Sequence, residues 1–153
     1  EWIELKGIGE GDRLRRLASI SDTVERFIAL NWNDHPRRPD FIKSEQLVLG
    51  HQHCHQKHES DALEAFLRCC GATNPSVLDS GCCGMAGSFG YKQSNYELSV
   101  KIARQSLQSL SDLDSKAVLV APGTSCRHQV HDVFSRRAIH PVIWANDALR
   151  SEE

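Results

Sequence analysis

Three short apolar runs, each breaking off into a cysteine-bearing segment, constrain this chain more than any other feature. Gln46-Leu47-Val48-Leu49-Gly50-His51 leads into His53-Cys54-His55-Gln56-Lys57-His58. Pro75-Ser76-Val77-Leu78-Asp79-Ser80 leads into Gly81-Cys82-Cys83-Gly84-Met85-Ala86-Gly87. Lys116-Ala117-Val118-Leu119-Val120-Ala121 leads into Pro122-Gly123-Thr124-Ser125-Cys126. Runs this short and apolar read as buried strands. Between them the spacing changes to three and four. Leu63, Phe66, Leu67 and Cys70 form one helical stripe, and Tyr96, Val100, Ala103, Leu107 and Leu110 form another. Ser94 and Glu97 have the spacing of a capping box before the second. A helix is expected over 125–136, then a last strand, Ile139 to Trp144, which Pro141 should place at an edge.

Strands alternating with helices predict an α/β domain, with a mainly parallel sheet of about four strands flanked by helices. The expected organisation is an N-terminal helical or loop extension over residues 1–45 and a cysteine-rich α/β domain over 46–153. Within the extension, Ser21 and Asp22 stand where a helix would start, with Val24, Phe27 and Ile28 as its apolar face. In open parallel sheets, binding sites form outside the carboxyl ends of the strands. Cys54, Cys82, Cys83 and Cys126 all fall there, so fold and chemistry converge on one edge.

The surroundings of these thiols favour reactivity or ligation over packing. Cys82 and Cys83 are adjacent and bracketed by Gly81 and Gly84, with Gly87 close behind, so the backbone there is tight and irregular. Cys126 is expected in the first turn of a helix, where exposed N–H groups and the helix dipole favour a thiolate. Cys69 and Cys70 read differently, because the helical stripe makes Cys70 a small buried hydrophobe. In an extended backbone His53 and His55 project to one side and Cys54 to the other, so they could share one metal only through a turn. Hydrogen-bonded or solvated histidines are the ordinary expectation here, although imidazole is a good metal ligand.

Composition sets the bounds. A chain of 153 residues with six cysteines is long enough for its own hydrophobic core and does not need disulfide staples. Four of the six cysteines are in adjacent pairs, which suits thiolate ligands in a reducing cytoplasm better than a secreted scaffold. A net charge of −2 offers no electrostatic footprint for nucleic acid. No apolar run reaches the length of a membrane span, and no secretory signal is seen. The expected location is the cytoplasm, including its membrane's inner face as a peripheral protein. The chain opens on Glu1 and is expected to be a piece of a longer polypeptide, or a processed one.

The order Cys54, then Cys82-Cys83-Gly84, then Cys126 resembles the cysteine-rich CCG domain. That domain occurs in heterodisulfide reductase and in the iron–sulfur subunits of glycolate and glycerol-3-phosphate oxidases. It also forms the C-terminus of FAD-linked D-lactate or D-2-hydroxyacid dehydrogenases. The wording His-Cys-His-Gln-Lys, Cys-Cys-Gly-Met-Ala-Gly-Ser-Phe-Gly-Tyr and Ser-Cys-Arg-His-Gln looks most like this last group, over Leu47 to Trp144. The family usually closes its pattern as Cys-x-x-Cys, and Gln129 stands at the final position here. The resemblance therefore implies four thiolate ligands, Cys54, Cys82, Cys83 and Cys126, rather than five. Such a set suits a [4Fe-4S] cluster or Zn2+. His53, His55, Arg127 and His128 are implied as neighbours that tune the site or as alternative ligands.

Three functions follow as expectations. The first is the C-terminal iron–sulfur electron-transfer module of a FAD-linked 2-hydroxyacid oxidoreductase of the D-lactate, glycolate or 2-hydroxyglutarate type. FAD would lie in the rest of the protein, and the acceptor would be a quinone or a carrier protein. The second is a zinc-bound or metal-free structural domain for subunit contact. The third is thiol–disulfide chemistry at Cys82, Cys83 or Cys126. This chain has no flavin fingerprint of its own and is not expected to be catalytic alone.

Overall fold

A computed structural model describes residues 11–150. The first ten residues of the expected extension lie outside the described residues. Among the described residues, the chain forms six α-helices and one wholly parallel sheet of four strands. The helices are α1 (Gly11–Ile20), α2 (Val24–Asn31), α3 (Ser60–Cys69), α4 (Tyr96–Ser106), α5 (Thr124–Phe134) and α6 (Pro141–Asp147). The strands are β1 (Ser44–Gly50), β2 (Ala72–Val77), β3 (Val118–Val120) and β4 (Ala138–Ile139). The expected α/β architecture is the one observed.

The strands lie in the order β2-β1-β3-β4. β1 is central, pairing Val48 with Pro75 of β2 and Gly50 with Val120 of β3. Pro75 is tolerated because β2 is an edge strand, where a missing N–H need not break a ladder. The chain leaves β1 for β2 on one side and returns as β3 on the other. The crevice between the carboxyl ends of β1 and β3 is therefore the topological switch point of the sheet, the usual place for a bound group.

Alternation along the strands divides the core into two. Val48 and Val120 face a cluster with Leu63, Phe66, Leu67, Cys70 and Trp144, contributed by α3, its end and α6. Leu49, Leu119 and Ala121 face the other side, against Leu107, Leu110 and Val130. Leu107 and Leu110 are fully buried, each contributing about 1.5–3 kcal/mol by its burial. Cys83 and Cys126 belong to this second cluster.

Four local expectations are corrected. The run Ile139–Trp144 is not a strand: β4 ends at Ile139 and Pro141 opens α6. Proline suits the first helical position, where no N–H partner is required, and His140 caps the turn by accepting from Val142 N at 3.2 Å. The capping box at Ser94 and Glu97 does not form. A short 3₁₀ turn, Gln93–Asn95, occupies its place, and Ser94 Oγ donates to Asn95 Oδ1 instead. α4 ends at Ser106, and a further 3₁₀ turn carries Leu110. In α2 the cap is Thr23, and the expected apolar face is split: Ile28 packs on the core, whereas Val24 and Phe27 are 53% and 59% exposed and Glu25 is buried. α2 packs on α3 through the side bearing Glu25 and Ile28, which leaves Val24 and Phe27 outside.

Candidate metal centre

Each strand end delivers one part of the site. Beyond β1, His51 continues the ladder, its N–H donating to Val120 O at 2.8 Å. The backbone then turns at once into a 3₁₀ helix, Cys54–Glu59. The turn that shared ligation would require is thus present, but the histidines use it locally. His53 Nδ1 accepts from His55 N at 3.3 Å, and the two rings stack with centroids 5.2 Å apart. His55 and Cys54 are exposed and His53 is half-buried. His53 also reaches the start of α5, since a Cβ on Gly123 would meet both His53 Cδ2 and Cys126 Sγ within 3 Å.

Beyond β2 comes the Cys82-Cys83-Gly84 loop, held down by α4. Gly84 has φ +87°, and a Cβ there would stand 2.3 Å from Ser99 O. Both the backbone conformation and the close approach therefore require glycine. Gly81 is less tightly placed, its Cβ position 2.8 Å from Ser106 Cβ, and Gly87 has φ +68° with open space around it. Two serines of α4 fasten the loop: Ser99 Oγ donates to Gly84 O at 2.9 Å, and Ser106 Oγ to Cys82 O at 2.5 Å. Gly84 N donates to Cys82 Sγ at 3.3 Å, a bond that strengthens when the sulfur is ionised.

Beyond β3, Cys126 sits in the first turn of α5 and is 2% exposed. Its sulfur, the Cys83 sulfur and a ring nitrogen of His51 all lie within 4.8 Å of one another, and all three residues are buried. Of the four expected thiol ligands, Cys83 and Cys126 belong to this group, whereas Cys54, exposed, and Cys82, half-buried, lie outside it and act on Cys126 as electrostatic neighbours. The Cys83 thiol is held well below its ordinary range, to about 4, first by the hydrogen bond from Cys126 and then by His51 and the Met85 backbone, against the cost of burial. Cys126 is pushed up by the same bond to Cys83, by burial and by the neighbouring thiols. The two sulfurs thus titrate as one pair, in which the thiol of one stabilises the thiolate of the other. Cys54 is raised by desolvation and by Cys82.

A cation placed among these groups would relieve the repulsion that raises Cys54 and Cys126. The donor set of thiolates and imidazole suits zinc or iron. The residues present therefore fit a metal or an iron–sulfur group.

The other expected neighbours are engaged elsewhere. Arg127 donates to Ala121 O and Pro122 O at 2.8 Å and to Thr124 Oγ1 at 3.0 Å, bracing the turn from β3 into α5. His128 Nδ1 lies 2.6 Å from Tyr91 Oη, joining α5 to the segment after the cysteine loop. Gln129 is buried and donates to Ser99. Cys70 lies in the opposite core, just before β2 begins, with its thiol pushed up to about 12 by burial and by Cys69. In the sequence His51 is one of a run of histidines for which a hydrogen-bonded or solvated role is the ordinary expectation, and only the β2 loop and α5 reveal what it faces.

A buried thiol and imidazole group at the switch point of a parallel sheet defines a class of site, one with the donors that suit a thiophilic metal. No protein-family model matches the chain, and no solved structure does. Among curated proteins, it is 31% identical over 104 residues to a subunit of the anaerobic glycerol-3-phosphate dehydrogenase of Escherichia coli K12, covering 67% of this chain and 26% of that protein. It is 40% identical over 63 residues to D-2-hydroxyglutarate dehydrogenase of Pseudomonas putida KT2440, covering 41% of this chain and 6% of that protein. The corresponding Escherichia coli K12 enzyme is 39% identical over 62 residues, 40% of this chain and 6% of the enzyme. The chain thus spans about a quarter of the first relative's length and far less of the other two. Among the described residues, no helix is long and apolar enough to cross a membrane.

Proposed function

We infer that this chain is an iron–sulfur electron-transfer module, the C-terminal part of a FAD-linked 2-hydroxyacid oxidoreductase. Its core is residues 46–153, with residues 1–45 as an extension. Cys54, Cys82, Cys83 and Cys126 are the cluster ligands, and Gly81, Gly84 and Gly87 shape the loop between them. A [4Fe-4S] cluster bound there would supply one-electron transfer between the flavin and an acceptor. The flavin belongs to the FAD-binding part of the same polypeptide or complex, and the acceptor is a quinone or a carrier protein on the cytoplasmic side. The chain's own residues bind the cluster, orient it and shield it.

The observation that carries this reading is the buried group of Cys83, Cys126 and His51 at the switch point, with Cys54 and Cys82 as electrostatic neighbours, in a chain whose relatives include dehydrogenases. Gln129 supports the count of four, because it occupies the place of a fifth thiolate with a structural amide. The test is the visible spectrum of oxygen-free protein carrying Cys82→Ser or Cys126→Ser. Each is expected to lose the cluster absorbance, and an unchanged spectrum in either contradicts the ligand set.

One observation favours a second reading. In tetrahedral zinc two sulfurs about 2.3 Å from the ion stand roughly 3.8 Å apart. The ligand atoms of His51, Cys83 and Cys126 all lie within 4.8 Å of one another, near enough for one ion to bridge them. A single zinc, holding a structural or subunit-contact domain together, is the competing function.

A further inference from the structure

The buried half of the site contains a nitrogen donor that a four-thiolate set leaves unused. His51 is 1% exposed, and it is fixed at both ends. Its backbone is locked into the β1–β3 ladder by the bond to Val120 O, and its Nδ1 lies 3.1 Å from Ser80 Oγ. Ser80 is itself buried and immediately precedes the cysteine loop. Gly50, just before His51, has no room for a side chain, since a Cβ there would meet Leu63 Cδ2 at 2.7 Å. The backbone that aims the ring is therefore pinned against α3.

This is the arrangement expected of a metal-bound imidazole: one nitrogen toward the metal, the other held by a hydrogen-bonding partner that fixes tautomer and orientation. With Nδ1 facing Ser80, Nε2 is the nitrogen left to face the two sulfurs. In the tautomer that carries its proton on Nδ1 and donates it to Ser80 Oγ, the Nε2 lone pair is available for ligation.

We propose that His51 is a metal ligand through Nε2, forming with Cys83 and Cys126 a mixed nitrogen–sulfur centre whose remaining positions are filled from Cys54 and Cys82. The ligand class is a thiophilic d-block ion: a single zinc completed by one further thiolate, or one iron of a cluster on which His51 takes the place of one of the four thiolates. The inference rests on the reading that the thiol group holds a metal, and leaves open which one.

The experiment is X-ray absorption at the metal edge, on the full chain purified without oxygen. One portion is loaded with zinc alone and another with iron and sulfide. The wild-type protein is expected to show a nitrogen scatterer at about 2.0 Å beside sulfur at about 2.3 Å. His51→Ala should lose the nitrogen, and His53→Ala should keep it. Ser80→Ala should keep it with metal affinity lowered about 10- to 100-fold, the effect of freeing a ligand ring from its orienting partner. The wild-type spectrum needs no variant to fold, so a failed His51→Ala preparation does not blunt the test. An all-sulfur shell around bound metal overturns the role of His51 and leaves the metal reading standing. Failure of the wild-type chain to take up either metal overturns both.

Discussion

Gln129 Nε2 donates to both the backbone carbonyl and the hydroxyl of Ser99, at 3.1 and 3.0 Å. The same hydroxyl donates onward to Gly84 O at 2.9 Å, so a buried amide on α5 holds the cysteine loop in place through α4. Removing the amide takes two accepted hydrogen bonds from Ser99, each contributing about 0.5–1.5 kcal/mol. Gln129→Ala is expected to cost about 1–3 kcal/mol of stability. Urea denaturation should show the midpoint falling with little change in slope. A variant as stable as the wild type would refute the role.

The glycines of the loop should not be equivalent. Gly84→Ala meets both a positive φ and a carbonyl oxygen 2.3 Å from the new Cβ, whereas Gly87→Ala meets only a positive φ. The second should cost about 1–2 kcal/mol. The first should cost more and reduce metal uptake, because the displaced residues are neighbours of Cys83. Metal content and thermal unfolding of the two variants, side by side, check this ordering.

Cys70 should report on the fold and not on the site. Its thiol is raised from the ordinary 9.0 to about 12. The unfolded chain loses this proton at lower pH than the folded one, so the native state is favoured below pH 9 and loses that advantage as pH rises from 9 towards 12. Cys70→Ala is expected to flatten that alkaline loss of stability while leaving metal content unchanged. Denaturation midpoints measured across the alkaline range, with metal analysis of the same samples, decide it.

The strand runs and helical stripes of this sequence were enough to read the architecture, because buried periodicity is a local signal. Leu63, Phe66 and Leu67 show it plainly. Local signals failed where a residue suited two states. Pro141 looks like an edge-strand residue and is the first residue of a helix. Ser94 and Glu97 have capping spacing, yet the backbone there makes a 3₁₀ turn. Val24 and Phe27 have core spacing and face outward. At the site, glycines around Cys82 and Cys83 marked the loop. The partners of His51 and Gln129 were out of reach, since each is fixed by contacts about 30 residues away in the chain.

The most direct test is the iron, sulfide and zinc content of the chain purified without oxygen, read together with its visible spectrum. The electron-transfer reading predicts about four irons and four sulfides per chain with broad visible absorbance. That signal should be lost in Cys82→Ser and kept in Cys70→Ala. One zinc per chain, no sulfide and a colourless solution would contradict it, and would make this a zinc-centred structural domain.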